Sequence, residues 1–177
     1  MGAWLTMAVG TALVAVAAAC SAQSSTTETG SPALHEPALV VGCDQVILRP
    51  RHPFADGYRR VLGVLAVPPA YIPQVVAITG EGWPYWEKSG LVVRAGHEPV
   101  TVTVAPGWRR RAAITWGNGT PAVASLRIDA CPSPGNVWNA YAGGFFMRSR
   151  GACVPLVFTV GGRARTVRFG IDRRCTS

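Results

Sequence analysis

The feature that most constrains the fold of this chain is an alternation of apolar and polar side chains with a period of two. Residues 100–104 read Val-Thr-Val-Thr-Val, and residues 154–160 and 167–171 also place an apolar residue at every second position. Successive side chains of a β-strand point to opposite faces of the sheet, so this period predicts strands with one buried face. The pair Gly161-Gly162 between the last two segments predicts a tight hairpin turn.

Weaker strand signals fill the rest of the chain. Residues 62–66, 108–116 and 122–130 show shorter alternating segments, separated by Gly and Pro. No long amphipathic helix stands out, and this combination favours an all-β fold, an antiparallel β-sandwich of about seven to nine strands. An immunoglobulin-like architecture fits such a sandwich, and a small barrel is the alternative. If residues 108–116 form a strand, Arg109 and Arg111 project from the same face.

The first 19 residues carry no charged side chain and end in Ala17-Ala18-Ala19, directly before Cys20. Small residues followed by a cysteine resemble the lipobox of bacterial lipoproteins. This resemblance implies that residues 1–19 are a cleaved signal peptide and that Cys20 is lipidated, by palmitate among other acyl chains. The protein would then sit on the extracytoplasmic face of the cell membrane. A cut after Ala22, which would give a secreted protein, and an uncleaved membrane anchor are the alternatives.

Two regions follow the leader. Residues 20–38 are mostly Ser, Thr, Gln, Glu, Gly, Pro and Ala, a composition that predicts a flexible tether. Residues 39–177 are predicted to form a single β-sandwich domain, which is long enough to bury a core.

Four cysteines remain if Cys20 is modified. An even number of cysteines in an exported chain predicts disulfide bonds, and four cysteines allow three pairings. We favour Cys131–Cys153, which lie 22 residues apart, together with Cys43–Cys175, which would join the start of the domain to its end. The spacing does not match a structural zinc site, so no metal is predicted.

The last third of the chain carries a wider resemblance. The matching stretches are Trp108 to Gly117, Ala130-Cys131-Pro132, Gly143-Gly144-Phe145 and Cys153 to Leu156, followed by Gly161-Gly162 and Cys175. Together they resemble a family of small exported actinobacterial proteins, many of them lipoproteins. The resemblance implies a disulfide-bonded β domain at the cell envelope. It implies no catalytic residue.

The chain is basic, with 17 Lys and Arg against 9 Asp and Glu and a formal net charge of +8. A basic surface raises the possibility of a nucleic-acid partner, but the leader argues against one and favours an anionic envelope component or a protein partner. The candidate contact residues are Arg109 and Arg111, which can bind an anion or can protect an edge strand from aggregation. Trp138 and Tyr141 are the other candidates; their segment is predicted to be a loop that can expose them, although a core position is favoured for each tryptophan.

Catalytic signatures are weak. No Gly-x-Ser-x-Gly elbow or phosphate-binding loop occurs, and only His52 near Asp56 hints at a base held by a carboxylate. Several carboxylates are available, among them Glu81, Glu87 and Glu98, but nothing in the sequence selects a pair. We therefore expect no catalytic residue and no cofactor. The sequence favours a membrane-anchored, non-enzymatic binding or accessory domain, with a cell-wall-active enzyme or a protective surface protein as alternatives.

Overall fold

The three clearest alternating segments form strands in the structure, a computed structural model that describes residues 37–53, 57–79, 82–135 and 137–176. The predicted signal peptide, Cys20 and the predicted tether up to residue 36 lie outside the described residues, and so do Asp56 and Glu81. Among the residues that are described, no helix is long and apolar enough to cross a membrane.

The described part of the chain contains fourteen strands and two short 3₁₀ helices, Cys43–Gln45 and Pro106–Trp108. The strands are more numerous than the sequence suggested, because Gly and Pro positions divide extended stretches into short pieces. Their bounds are β1 Leu39–Val41, β2 Arg59–Val61, β3 Leu65–Val67, β4 Tyr71–Ile72, β5 Val76–Ala77, β6 Tyr85–Lys88, β7 Leu91–Arg94, β8 Val100–Val104, β9 Ala112–Trp116, β10 Ser125–Ile128, β11 Trp138–Tyr141, β12 Gly143–Met147, β13 Ala152–Val160 and β14 Arg163–Ile171.

These strands form three sheets that pack as a sandwich, so the predicted all-β sandwich fold is confirmed. The first sheet has the order β1-β10-β8-β13-β14-β4, the second β11-β7-β3-β2 and the third β5-β6-β12-β9. One continuous core takes inward-facing residues from all three sheets, including Val102, Trp116, Phe145, Phe158 and Phe169. Burial of this apolar surface is the main favourable contribution to the stability of the domain.

The hairpin predicted at Gly161-Gly162 is present. β13 and β14 pair antiparallel over nine residue pairs, from Ala152 opposite Ile171 to Val160 opposite Arg163. Both glycines adopt positive φ, which the tight turn requires and which other residues rarely adopt. The alternation in β13 places the even-numbered residues in the core, as the sequence predicted.

The second and third sheets adjoin at a seam. The chain crosses from β6 to β7 through Ser89 and Gly90, and it crosses back from β11 to β12 through Ala142. The Ser89 backbone N–H donates to the Gly143 carbonyl at 2.8 Å, which ties the two crossings together. A Cβ atom on Gly144 would lie 1.8 Å from the Glu87 carbonyl oxygen, so the close approach of the strands here needs glycine.

The predicted disulfide pairing is wrong. The structure contains Cys43–Cys131 and Cys153–Cys175, with Cα–Cα distances of 5.4 and 5.3 Å, in place of Cys131–Cys153 and Cys43–Cys175. The first bond follows from the parallel pairing of β1 with β10, where Val41 lies opposite Ile128. Parallel neighbours end at the same edge of a sheet, so the cysteines that follow these two strands meet there.

The second disulfide depends on a reversal of the chain after β14. Cys153 lies opposite Gly170, and the chain folds back after Ile171 so that Cys175 returns to this position. A Cβ atom on Gly170 would lie 2.3 Å from the Arg173 carbonyl oxygen and 3.0 Å from the Cys175 nitrogen. Gly170 therefore leaves the space through which the C-terminal segment passes.

The strand predicted over residues 62–66 is wrong for residues 62–64. β2 ends at Val61 and β3 begins at Leu65, and the two strands pair antiparallel around a turn at residues 62–64. Leu62 in this turn has a φ of 52°, and Gly63 has a φ of 76°. The apolar residues at positions 62 and 64 gave the alternation that is typical of a strand, whereas Gly63 provides the left-handed conformation that the turn needs.

Candidate functional site

The two aromatic residues proposed for ligand contact lie in a buried strand and not in a loop. Trp138 and Tyr141 begin and end β11, and their exposed fractions are 4% and 1%. The Tyr141 hydroxyl donates to the Cys131 sulfur at 3.5 Å, and burial, chiefly, raises the pKa of Tyr141 to about 12. Both aromatic residues therefore stabilise the fold, and neither is exposed for the ligand contact considered for them.

The arginines proposed for ligand contact lie in a turn and not in a strand. The 3₁₀ helix Pro106–Trp108 leads into a turn at residues 109–111, and β9 begins only at Ala112. The Arg109 side chain is half-buried and donates to the Val104 carbonyl at 3.5 Å. Arg110 and Arg111 are exposed, and the Arg111 guanidinium lies 5.6 Å from the centre of the Trp108 ring.

Two further arginines lie beside this turn, because β9, β12 and β6 are adjacent in the third sheet. Met147, the last residue of β12, lies opposite both Ala112 and Tyr85. The Arg148 guanidinium that follows lies 4.5 Å from the centre of the Trp83 ring and donates to the Gly82 carbonyl. The Arg148 backbone N–H donates to the Arg111 carbonyl at 2.9 Å, which connects the two arginine segments.

The neighbouring loops add more exposed arginines. The Arg150 guanidinium lies 5.9 Å from the Tyr85 ring centre, and the Arg174 guanidinium lies 4.9 Å from the Tyr71 ring centre. Arg173 donates to the Gly151 carbonyl at 3.5 Å. We call this surface the arginine–aromatic end. It comprises Arg110, Arg111, Arg148, Arg150, Arg173 and Arg174, with the half-buried rings of Tyr71, Trp83, Tyr85 and Trp108.

No carboxylate neutralises these guanidinium groups within the described residues. Asp172 precedes Arg173 in the chain but forms no ion pair, and the single ion pair of the described structure joins Arg127 to Asp129 at 2.6 Å. That pair lies toward the opposite end of the first sheet, where Ile128 is opposite Val100. Guanidinium groups that stack on aromatic rings keep their remaining N–H donors available for phosphate or carboxylate oxygens.

A second feature is a groove at the seam between the second and third sheets. It has a volume of about 300 Å³ and is lined by Ile47, Tyr58, Lys88, Ser89, Gly90, Ala140, Tyr141, Ala142 and Gly143. Most of the described lining is apolar, and Lys88 is the only charged residue in it. Ile47 is 57% exposed. A groove of this kind admits an apolar group, but the described lining residues include neither an acid nor a histidine for proton transfer.

Glu87 lies beside this seam, and its pKa is shifted further than that of any other described carboxyl. Its side chain is 4% exposed and lies on the core side of the third sheet, opposite Phe145. Burial raises the pKa of Glu87 to about 7, and the nearby Ser89 hydroxyl offsets part of this effect. Neither Glu87 Oε2 nor Ser89 Oγ has a hydrogen-bond partner of ordinary geometry among the described residues. The sequence offered Glu87 only as one of several carboxylates, and no pattern in it distinguished Glu87 from the others.

His97 lies with Glu98 and Arg163 in a second, more polar groove of about 370 Å³. This groove is at the end of the sandwich opposite the arginine–aromatic end. Burial lowers the pKa of His97, and its contact with the Glu98 backbone carbonyl offsets part of this effect. Asp56, the carboxylate expected near His52, lies outside the described residues. No group of three or more His, Cys, Asp or Glu side chains in the described part could hold a metal ion.

A comparison of the chain with models of known protein families and with curated proteins finds no match.

Proposed function

We propose that this protein is an exported, lipid-anchored binding domain without enzymatic activity, and that its arginine–aromatic end binds an anionic component of the cell envelope. The anchor is the lipid on Cys20, and the protein works on the extracytoplasmic face of the cell membrane.

The observation that carries the proposal is the concentration of exposed, unpaired arginines at one end of the sandwich. Arg110, Arg111, Arg148 and Arg150 are exposed, and none forms an ion pair in the described structure. Unpaired like charges repel one another and gain stability when an anion binds between them. The aromatic rings beneath them fix the directions of the guanidinium groups, which lowers the entropy lost on binding.

The test uses a soluble polyphosphate and two triple variants of equal charge. We expect Arg110→Gln/Arg148→Gln/Arg150→Gln to weaken polyphosphate binding by about thirtyfold in 50 mM salt, on the order of 2 kcal/mol. The control, Arg94→Gln/Arg163→Gln/Arg165→Gln, removes three exposed arginines away from this end and is expected to weaken binding by less than about threefold. Titration calorimetry measures both affinities. Equal losses in the two variants would show that only net charge matters and would refute the site.

A wall-active enzyme is the second candidate, and Glu87 favours it. A carboxyl that keeps its proton near neutral pH has the property of a general acid in glycoside hydrolysis. Such hydrolysis also needs a second carboxylate facing the same bond, and the seam groove has none in its lining. Glu87 does not line that groove either, so we rank the binding domain first.

A further inference from the structure

The direction in which the chain enters the domain restricts what the arginine–aromatic end can face. We infer that this end lies against the membrane surface and binds the phosphate groups of anionic phospholipids. The inference rests on the proposed function, because it assumes the lipid anchor and the anion-binding surface, and it names the partner of that surface.

The path of β1 gives the direction of entry. β1 runs parallel to β10, with Leu39 opposite Leu126 and Val41 opposite Ile128. β10 in turn is antiparallel to β8, so Leu39 lies level with Val102 and Val41 level with Val100. β8 runs toward the arginine–aromatic end, since the 3₁₀ helix that carries Trp108 follows Val104 almost directly. β1 therefore runs away from the arginine–aromatic end, and the chain before Leu39 arrives from that side.

The chemistry of the surface suits a bilayer interface better than a soluble polymer alone. Arginine binds phosphate through two parallel N–H donors, and each basic residue near an anionic membrane strengthens binding by about fivefold. Three half-buried aromatic side chains lie among these arginines, namely Trp83, Tyr85 and Trp108. Tryptophan and tyrosine favour the headgroup level of a bilayer, where one part of the ring is in apolar contact and the polar group remains hydrated.

The experiment removes the lipid so that only the protein surface can bind. The purified mature chain, which begins at residue 20 and carries Cys20→Ala, is mixed with vesicles of phosphatidylcholine alone, or with vesicles that also contain phosphatidylglycerol, and sedimented. We expect binding to the anionic vesicles only. Adding Arg110→Gln/Arg148→Gln/Arg150→Gln is expected to weaken this binding by roughly a hundredfold, as three losses of about fivefold each. The control triple Arg94→Gln/Arg163→Gln/Arg165→Gln is expected to weaken it by less than about threefold.

The outcomes separate this inference from the proposal on which it rests. Binding to soluble polyphosphate without binding to anionic vesicles would overturn the membrane orientation, leave the anion-binding function standing, and point to an acidic wall polymer. Equal vesicle binding by the two triple variants would also overturn the inference. Binding to neither polyphosphate nor vesicles would refute both the inference and the proposed function.

Discussion

Replacing Cys43 and Cys131 together with alanine is expected to lower the free energy of unfolding by about 4.5 kcal/mol. The bond closes a loop of 88 residues, so its loss returns a large conformational freedom to the unfolded chain. β1 is only three residues long and pairs with β10 alone, so the disulfide adds a covalent link to a short strand pairing. Chemical denaturation of the double variant and of the parent protein measures the difference.

The second disulfide is the matched control. Cys153 and Cys175 close a loop of 22 residues, and their replacement by alanine is expected to cost about 3.5 kcal/mol. A larger loss for this pair than for Cys43 and Cys131 would contradict the loop-closure argument. Mass mapping of the oxidised protein should also yield the two peptide pairs of the structure, and a Cys131–Cys153 pair would contradict the fold.

Glu87→Gln is expected to stabilise the protein at pH 8 by up to about 3 kcal/mol and to have little effect near pH 4.5. Burial raises the pKa of Glu87 to about 7 in the folded protein, above its value of 4.5 in the unfolded chain. Between pH 4.5 and pH 7 the folded protein binds more protons than the unfolded chain. The free energy of unfolding therefore falls as the pH rises through 7, because Glu87 must then ionise in its buried position. The glutamine side chain stays neutral and removes this loss.

Urea denaturation of Glu87→Gln and of the parent protein at pH 4.5, 6, 7 and 8 tests this prediction. The other titrating groups are the same in both proteins, so the difference between the two curves isolates Glu87. Asp44→Asn, which changes an exposed carboxyl, is the matched control. A stability difference that does not grow between pH 5 and pH 8 would mean that Glu87 is not buried in its neutral form.

Local patterns predicted the parts of the fold that local forces determine. The alternation in residues 100–104 and 154–160 identified β8 and β13, because each strand has one face in the core. Gly161-Gly162 identified the β13–β14 hairpin, because a two-residue turn needs positive φ. These signals depend on neighbouring residues alone, so a single sequence contains them.

Pairings between distant strands could not be read in the same way. The Cys43–Cys131 bond follows from the parallel pairing of β1 with β10, and nothing near either cysteine encodes that partnership. The sequence instead suggested a bond between Cys131 and Cys153, which are neighbours among the cysteines. Four cysteines allow three pairings, and only the tertiary fold selects one of them.

The candidate site was predicted in composition but not in geometry. Arg111 was identified, but as part of a strand, and its stacking on Trp108 depends on the 3₁₀ helix that precedes it. Trp138 resembled a loop residue because glycines and asparagines surround it, yet pairing with β7 buries it. Arg148 and Arg150 lie at the site because of the register of β12 with β9 and β6. No local sequence pattern predicts that register.

The central claim is that the protein is anchored at the envelope by a lipid on Cys20. The most direct measurement is the mass of its N-terminal peptide, isolated from the membrane fraction of cells that express the full chain. We expect this peptide to begin at Cys20 and to carry a diacylglyceryl group. We expect a high-salt wash to release the Cys20→Ala protein from the membrane fraction, because only the salt-sensitive contacts of the arginines remain, and to leave the parent protein in place. An unmodified peptide that begins at Met1 or at Gln23 would contradict the claim.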